Sequence, residues 1–202
     1  MLTFRKIAVT GCLGTGKSTV CKAMQDLGAY VVNTDELCHK LLLSDKNCIQ
    51  QVESLFGKKI KVNGQIDRKK IADSVFSHRH LLKALENILH PLVLKQLESL
   101  YKEINQLGNK KFFVVEVPLL FEVGWEFFFD TVITVTAEQS ICQKRCLAKG
   151  LSVEEYFLRK QRQLSSEEKI NRADFVIINN GTLQDLKNQV QKIIETIETN
   201  HS

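Results

Sequence analysis

The chain reads as an α/β fold, a doubly wound, mainly parallel five-stranded sheet, and three observations in the sequence predict it. Short runs rich in Val, Ile and Phe alternate with segments of helical spacing. The first run feeds a glycine-rich turn and then a helix. The length, 202 residues at 44% hydrophobic content, is enough to bury one full core.

Residues 6–10 form the first apolar run, and residues 17–27 carry helical spacing that stops at Gly28, a favourable residue just past a helix end. Residues 30–33, 112–117, 131–135 and 175–178 supply the other four strands, each too short and too β-branched or aromatic for a helix. Helices between strands imply crossover connections, so the sheet is parallel and both its faces are covered.

Two intervals exceed a simple crossover. Residues 36–110 read as an all-helical insertion with helices after Thr34, around 47–56 and after Asp67, then a pair broken at His90-Pro91. Such an insertion is expected to serve as an acceptor-binding subdomain. Residues 138–172 read as a helical hairpin serving as a lid, because Ser152-x-x-Glu155 and Ser165-x-x-Glu168 both have capping-box spacing. With no repeats and no linker, residues 1–202 are expected to form a single domain, frayed only over the last residues, 198–202.

The formal charge of +5 suits any polyanion and excludes no partner class. No apolar run reaches the roughly 20 residues that span a bilayer. The six cysteines form no C-x-x-C pair, which predicts free thiols and a cytoplasmic location.

The chemistry begins at Gly11-Cys12-Leu13-Gly14-Thr15-Gly16-Lys17-Ser18, which matches G-x-x-x-x-G-K-[ST] between a strand and a helix. In this P-loop, backbone N–H groups curl around phosphate oxygens, Lys17 reaches the β- and γ-phosphates, Ser18 ligates Mg²⁺, and Thr19 continues the helix N-terminus. ATP and Mg²⁺ are the expected cofactors. Cys12 is either a small filler or a thiol activated by the helix terminus. D-x-x-G and N-K-x-D are absent, which argues against a guanine-specific switch.

Asp35, at the end of the second strand, is placed to orient an acceptor hydroxyl and take its proton; a helix-cap role for Thr34 or Asp35 stays open. Glu116, ending the third strand, occupies the position that helps hold Mg²⁺ through water, while Glu122 makes either a salt bridge or a cap.

These motifs, together with Gly64-Gln65-Ile66-Asp67-Arg68, His90-Pro91, the run Val117-Pro118-Leu119-Leu120-Phe121-Glu122, Arg159-x-x-x-Gln163 and the run from Ala173 to Gly181, resemble the dephospho-CoA kinase family in order and spacing. The resemblance covers about residues 7–190. It implies transfer of the ATP γ-phosphoryl group to the ribose 3′-hydroxyl of dephospho-CoA, the last step of coenzyme A synthesis.

It also implies catalytic roles for Asp35, Lys17 and Arg145, and anionic-substrate contacts for Arg68, His90, Lys149 and Arg159. Asn33 and Glu116 depart from the family, which usually carries Asp at both positions, and Lys149 stands where Arg is frequent. The alternatives are a kinase for another nucleotide or nucleoside, and a P-loop switch or nucleic-acid-binding module using Lys58, Lys59, Lys61 and residues 68–70. The resemblance favours small-molecule substrates, a monomer or small homo-oligomer, and neither nucleic acid nor membrane as partner.

Overall fold

The computed structural model describes residues 4–199. The chain divides into two compact units, one running up to Asn33 and resuming at Ile104, the other comprising Thr34–Glu103.

The first unit opens with β1 (Arg5–Thr10), α1 (Lys17–Asp26) and β2 (Tyr30–Asn33). The second contributes α2 (Thr34–Ser44), α3 (Lys46–Phe56), β3 (Lys61–Val62), β4 (Gln65–Ile66), α4 (Arg68–Ser77) and α5 (Arg79–Leu107). The chain then returns through β5 (Phe112–Glu116), β6 (Thr131–Thr136), α6 (Gln139–Ala148), α7 (Val153–Lys160), α8 (Ser166–Asn171), β7 (Phe175–Ile178) and α9 (Leu183–Thr199).

The five-stranded sheet has the order β2-β5-β1-β6-β7, and every pairing in it is parallel. Parallel strands are apolar on both sides because helices cover both faces, and all five residues of β5 are buried. One face carries Ile7, Val9, Val114, Ile133, Val135 and Ile177 into a core with Val20 and Met24 of α1 and Leu186, Val190 and Ile194 of α9. The strand that leads into the P-loop is central, so the loop emerges at the carboxyl edge where such sheets bind ligands.

Three details differ from the expectations. The insertion is not all helical: β3 and β4 form an antiparallel hairpin whose turn residues Asn63 and Gly64 have φ of 50° and 81°. Asn-Gly is a favoured pair for a two-residue turn that needs positive φ at both positions. The expected break at His90-Pro91 is also absent, since α5 runs through Pro91. Proline removes one N–H and crowds the carbonyl four residues earlier. Leu85, Leu89, Val93 and Leu97, spaced four apart and all buried on either side of it, hold the helix together. Finally, α9 is ordered to Thr199, with Glu198 paired to Lys111 at 3.0 Å; the remaining residues of the expected frayed end lie outside the described residues.

Candidate functional site

The P-loop is fixed by close backbone approach. A Cβ on Gly14, whose φ is 82°, would stand 2.5 Å from the Cys142 carbonyl oxygen of α6. On Gly16, with φ of 99°, it would stand 2.2 Å from Asn179 Nδ2. A side chain on Gly14 would run into backbone, and one on Gly16 would displace the Asn179 amide, and both would be strained at these positive φ values.

Side chains complete the brace. Asn179 Nδ2 donates to the Thr15 carbonyl at 2.8 Å, and Arg145 donates through Nη1 to the same carbonyl at 3.5 Å and through Nη2 to the Asn179 carbonyl at 3.1 Å. Within the loop, Thr15 Oγ1 donates to Cys12 O at 2.9 Å. From the segment after α7, Gln163 Oε1 accepts the Leu13 N–H at 2.8 Å.

Lys17 begins α1 and is only 8% exposed, with Nζ donating to the carbonyls of Gly11 and Cys12 at 3.0 Å each. The ammonium is thus held over the loop that receives phosphate. Further cations act on thiols in and beside this loop. The charges of Lys149, Lys17 and Arg159 all act to lower the Cys146 thiol pKa, against a larger upward push from desolvation. Lys169, Lys17 and Lys160 act likewise on Cys12. Lys149 and Arg159 themselves are exposed.

Desolvation also wins at Cys12, raising its pKa, and its Sγ contacts the Leu164 carbonyl at 3.7 Å. The small-filler reading of Cys12 is therefore the one the surroundings support, since a reactive thiol needs a lowered pKa. All six cysteines are free.

Ser18, at the second position of α1, and Glu116, the last residue of β5, meet: Ser18 Oγ donates to Glu116 Oε1 at 3.4 Å. Asn33 Nδ2 donates to Glu116 Oε2 at 3.1 Å. Glu116 is 6% exposed, so its carboxylate depends on such donors. Among the described residues no group of three or more His, Cys, Asp or Glu could hold a metal. A hydroxyl beside one carboxylate still fits Mg²⁺, which keeps several waters and draws its remaining ligands from substrate phosphates.

Glu122 resolves as a salt bridge. Its carboxylate pairs with Lys169 Nζ at 2.7 Å, accepts the Leu164 N–H at 2.8 Å, and shares Lys169 with the Pro118 carbonyl at 3.1 Å. Lys169 is 0% exposed. Its burial carries no signal in the sequence, because a lysine in a capping-box helix reads as a surface residue. Asn179 and Gln163 stood in motif runs but had no assigned role; their partners are backbone groups distant in sequence. Asn180, by contrast, exchanges hydrogen bonds with Glu138 at 2.8 and 3.3 Å.

In the Thr34–Glu103 unit, Asp35 lies in the first turn of α2 and Arg68 opens α4. Both are exposed. They are close enough to act together on Cys38, whose thiol desolvation raises to about 11, with Asp35 adding to the rise and Arg68 opposing it. Thr34 is already helical, so Asp35 sits inside the helix rather than at its cap. The neighbouring N-cap is instead Asp67 of α4, which accepts the Lys69 N–H at 2.8 Å. His90 is half-buried, and burial pushes its pKa below the ordinary value despite the opposing charge of Glu86. At neutral pH it is an uncharged hydrogen-bonding group, unlike Arg68.

Comparisons with known proteins point to one family. The CoaE family model, described as dephospho-CoA kinase, matches residues 5–185. A dephospho-CoA kinase from Protochlamydia amoebophila is 43% identical over 200 residues, covering 98% of each chain. One from Chlamydia pneumoniae is 40% identical over 193 residues, covering 95% of this chain and 96% of its own. Among solved structures, the dephospho-CoA kinase from Campylobacter jejuni superposes with a TM-score of 0.70 at 30% identity, covering 98% of both chains.

Proposed function

The chain belongs to the dephospho-CoA kinase family and phosphorylates dephospho-CoA with ATP in coenzyme A synthesis, and from that premise we propose how its residues divide the work. The acceptor atom is the ribose 3′-hydroxyl. The observation that carries the reading is the braced P-loop with Lys17 held over it and further cations acting on thiols in and beside it.

Loop N–H groups at the start of α1 bind the β- and γ-phosphates of ATP, and Lys17 follows the charge that develops on the transferring group. Mg²⁺, held by Ser18 and through water by Glu116, would neutralise phosphate charge. Asp35 aligns the acceptor hydroxyl and takes its proton late in transfer. Arg68 meets an anionic group of the acceptor through its guanidinium fork, and His90 donates or accepts a hydrogen bond as a neutral ring.

Residues 138–172 act as the lid, with the moving part confined to about residues 149–162. The reason is anchorage: α6 is packed on Gly14 and tied by Arg145, while Gln163 and Leu164 are fastened to Leu13 and Glu122. Between these anchors lie Lys149 and Arg159, free to close over the phosphates and exclude water. Arg145 then contributes mainly by holding the loop's shape. Six free thiols suit a reducing compartment, which supports the cytoplasm as the setting of the reaction. Among the described residues no helix is long and apolar enough to cross a membrane.

The test is to incubate the protein with ATP, Mg²⁺ and dephospho-CoA and to follow products by mass. Coenzyme A and ADP in equal amounts are expected. Turnover with a nucleoside acceptor and none with dephospho-CoA would overturn the substrate assignment.

A further inference from the structure

Glu116 is the last residue of β5, and its Cα partners across the sheet are Asn33 on β2 and Val9 on β1. Paired residues of parallel strands point to the same face, here the face covered by α1. Val9 offers Glu116 no side-chain donor, whereas Asn33 offers an amide, and its Nδ2 donates to Glu116 Oε2 at 3.1 Å. The other oxygen, Oε1, receives the Ser18 hydroxyl at 3.4 Å. The two oxygens of one buried carboxylate therefore have separate partners on separate elements.

We propose that Asn33 is a positioning residue for the metal side of the reaction: its amide holds Oε2 and so turns Oε1 toward Ser18 and the space a hydrated divalent cation takes beside it. This rests on the reading of Ser18 and Glu116 as the Mg²⁺ side of the site. The reasoning is steric and electrostatic. A glutamate reaches its carboxylate through one more rotatable bond than an aspartate, and that bond must be fixed for the carboxylate to present one oxygen consistently. Ser18 fixes one oxygen. The Asn33 amide supplies the second point. It does so without adding charge, so the local negative charge offered to the cation is that of Glu116 alone among these three side chains. A carboxylate in place of the amide would lose the donor and set like charges about 3 Å apart, which is repulsive at that separation.

The test measures binding rather than turnover. A non-hydrolysable ATP analogue is titrated calorimetrically into wild type, Asn33→Ala, Glu116→Gln and the double variant, once with chelator and once with saturating Mg²⁺. The gain in affinity on adding Mg²⁺ is the readout. Asn33→Ala should bind the metal-free analogue as wild type does and lose about tenfold of the Mg²⁺ gain, the scale of one hydrogen bond to a charged group. Glu116→Gln should lose most of the gain, and adding Asn33→Ala to it should change the gain less than twofold, because Asn33 acts through Glu116.

Asn33→Leu, which keeps the branched framework of asparagine, leaves no cavity and cannot donate, guards against a cavity effect and should lose the same tenfold. An unchanged gain in folded Asn33→Ala and Asn33→Leu overturns the proposal, as does a full tenfold loss that persists beside Glu116→Gln. A full Mg²⁺ gain in Glu116→Gln would instead overturn the underlying metal assignment.

Discussion

The P-loop and the Thr34–Glu103 unit solve their tasks in opposite ways. In the P-loop, Gly14 and Gly16 are pressed against a backbone carbonyl and a buried side-chain amide, so a Cβ at either position forces a neighbour to move. In the other unit, Gly57 and Gly64 would meet nothing within 4 Å, and the residues assigned to the acceptor, Asp35 and Arg68, stand exposed on helices. One region is specified by backbone contact and the other by side chains on a tolerant scaffold. Phosphate is the same in every nucleotide, so a fixed backbone cradle serves it; an acceptor is recognised by side chains that another sequence could place differently.

The same substitution applied to both regions should expose this contrast most strongly. Gly16→Ala should abolish measurable binding of an ATP analogue, because its Cβ would overlap Asn179 Nδ2. Gly64→Ala, at comparable positive φ but in open space, should cost about 1–2 kcal/mol of stability and leave ATP binding intact. Comparable losses from both would break the comparison.

Lys169→Met comes next. It leaves Glu122, whose side chain is 13% exposed, beside an apolar chain, and breaking a pair with one fully buried partner should cost about 3 kcal/mol, measurable by urea unfolding. A loss under about 1 kcal/mol would show that Glu122 finds solvent. Lys17→Ala should reduce turnover by about two decades or more, read against acceptor-saturated wild type. Lys17 is not the exposed loop residue its motif position suggests, so a small fall in melting temperature should accompany the loss.

The smallest effect is on helix caps. Both expected capping boxes form: Ser152 with Glu155 and Ser165 with Glu168 exchange hydrogen bonds in both directions. Those bonds from Ser152 and Ser165 hold the two carboxyl pKa values below the ordinary range. A depressed folded pKa means the contribution is complete above the unfolded pKa and is lost as pH falls through the folded one. Amide protection in α7 and α8, corrected for the intrinsic pH dependence of exchange, should therefore fall selectively in acid, below the ordinary glutamate range. Ser152→Ala and Ser165→Ala, which remove each box at its cap, should abolish the acid-dependent loss and serve as the controls; a loss that persists in both variants would count against a box-specific effect.

What the sequence made legible follows the same division. The five strands were readable because parallel strands buried on both faces leave short, dense Val, Ile and Phe runs, and the P-loop because its backbone demands fix residue types at fixed spacing. The roles of Lys169, Gln163 and Asn179 were not readable, since each depends on partners brought together by the fold: Glu122 and Pro118 O, Leu13 N, and Thr15 O. The continuous α5 was missed for a related reason, as local proline chemistry argued for a break that packing on both sides of Pro91 overrides. The hairpin at Asn63-Gly64 was, in contrast, present as a local signal within a segment otherwise dominated by helical spacing.

The claim that the acceptor is served by a side chain on a tolerant helix is tested most directly at Asp35. Asp35→Asn keeps size and hydrogen bonding and leaves every P-loop contact in place. With saturating ATP, Mg²⁺ and dephospho-CoA, kcat should fall by about two decades, the lower end of the general-base range, while ATP-analogue affinity and melting temperature stay near wild type. A kcat within about threefold of wild type would contradict the account, because a residue that aligns and deprotonates the acceptor cannot be replaced by an amide at so small a loss.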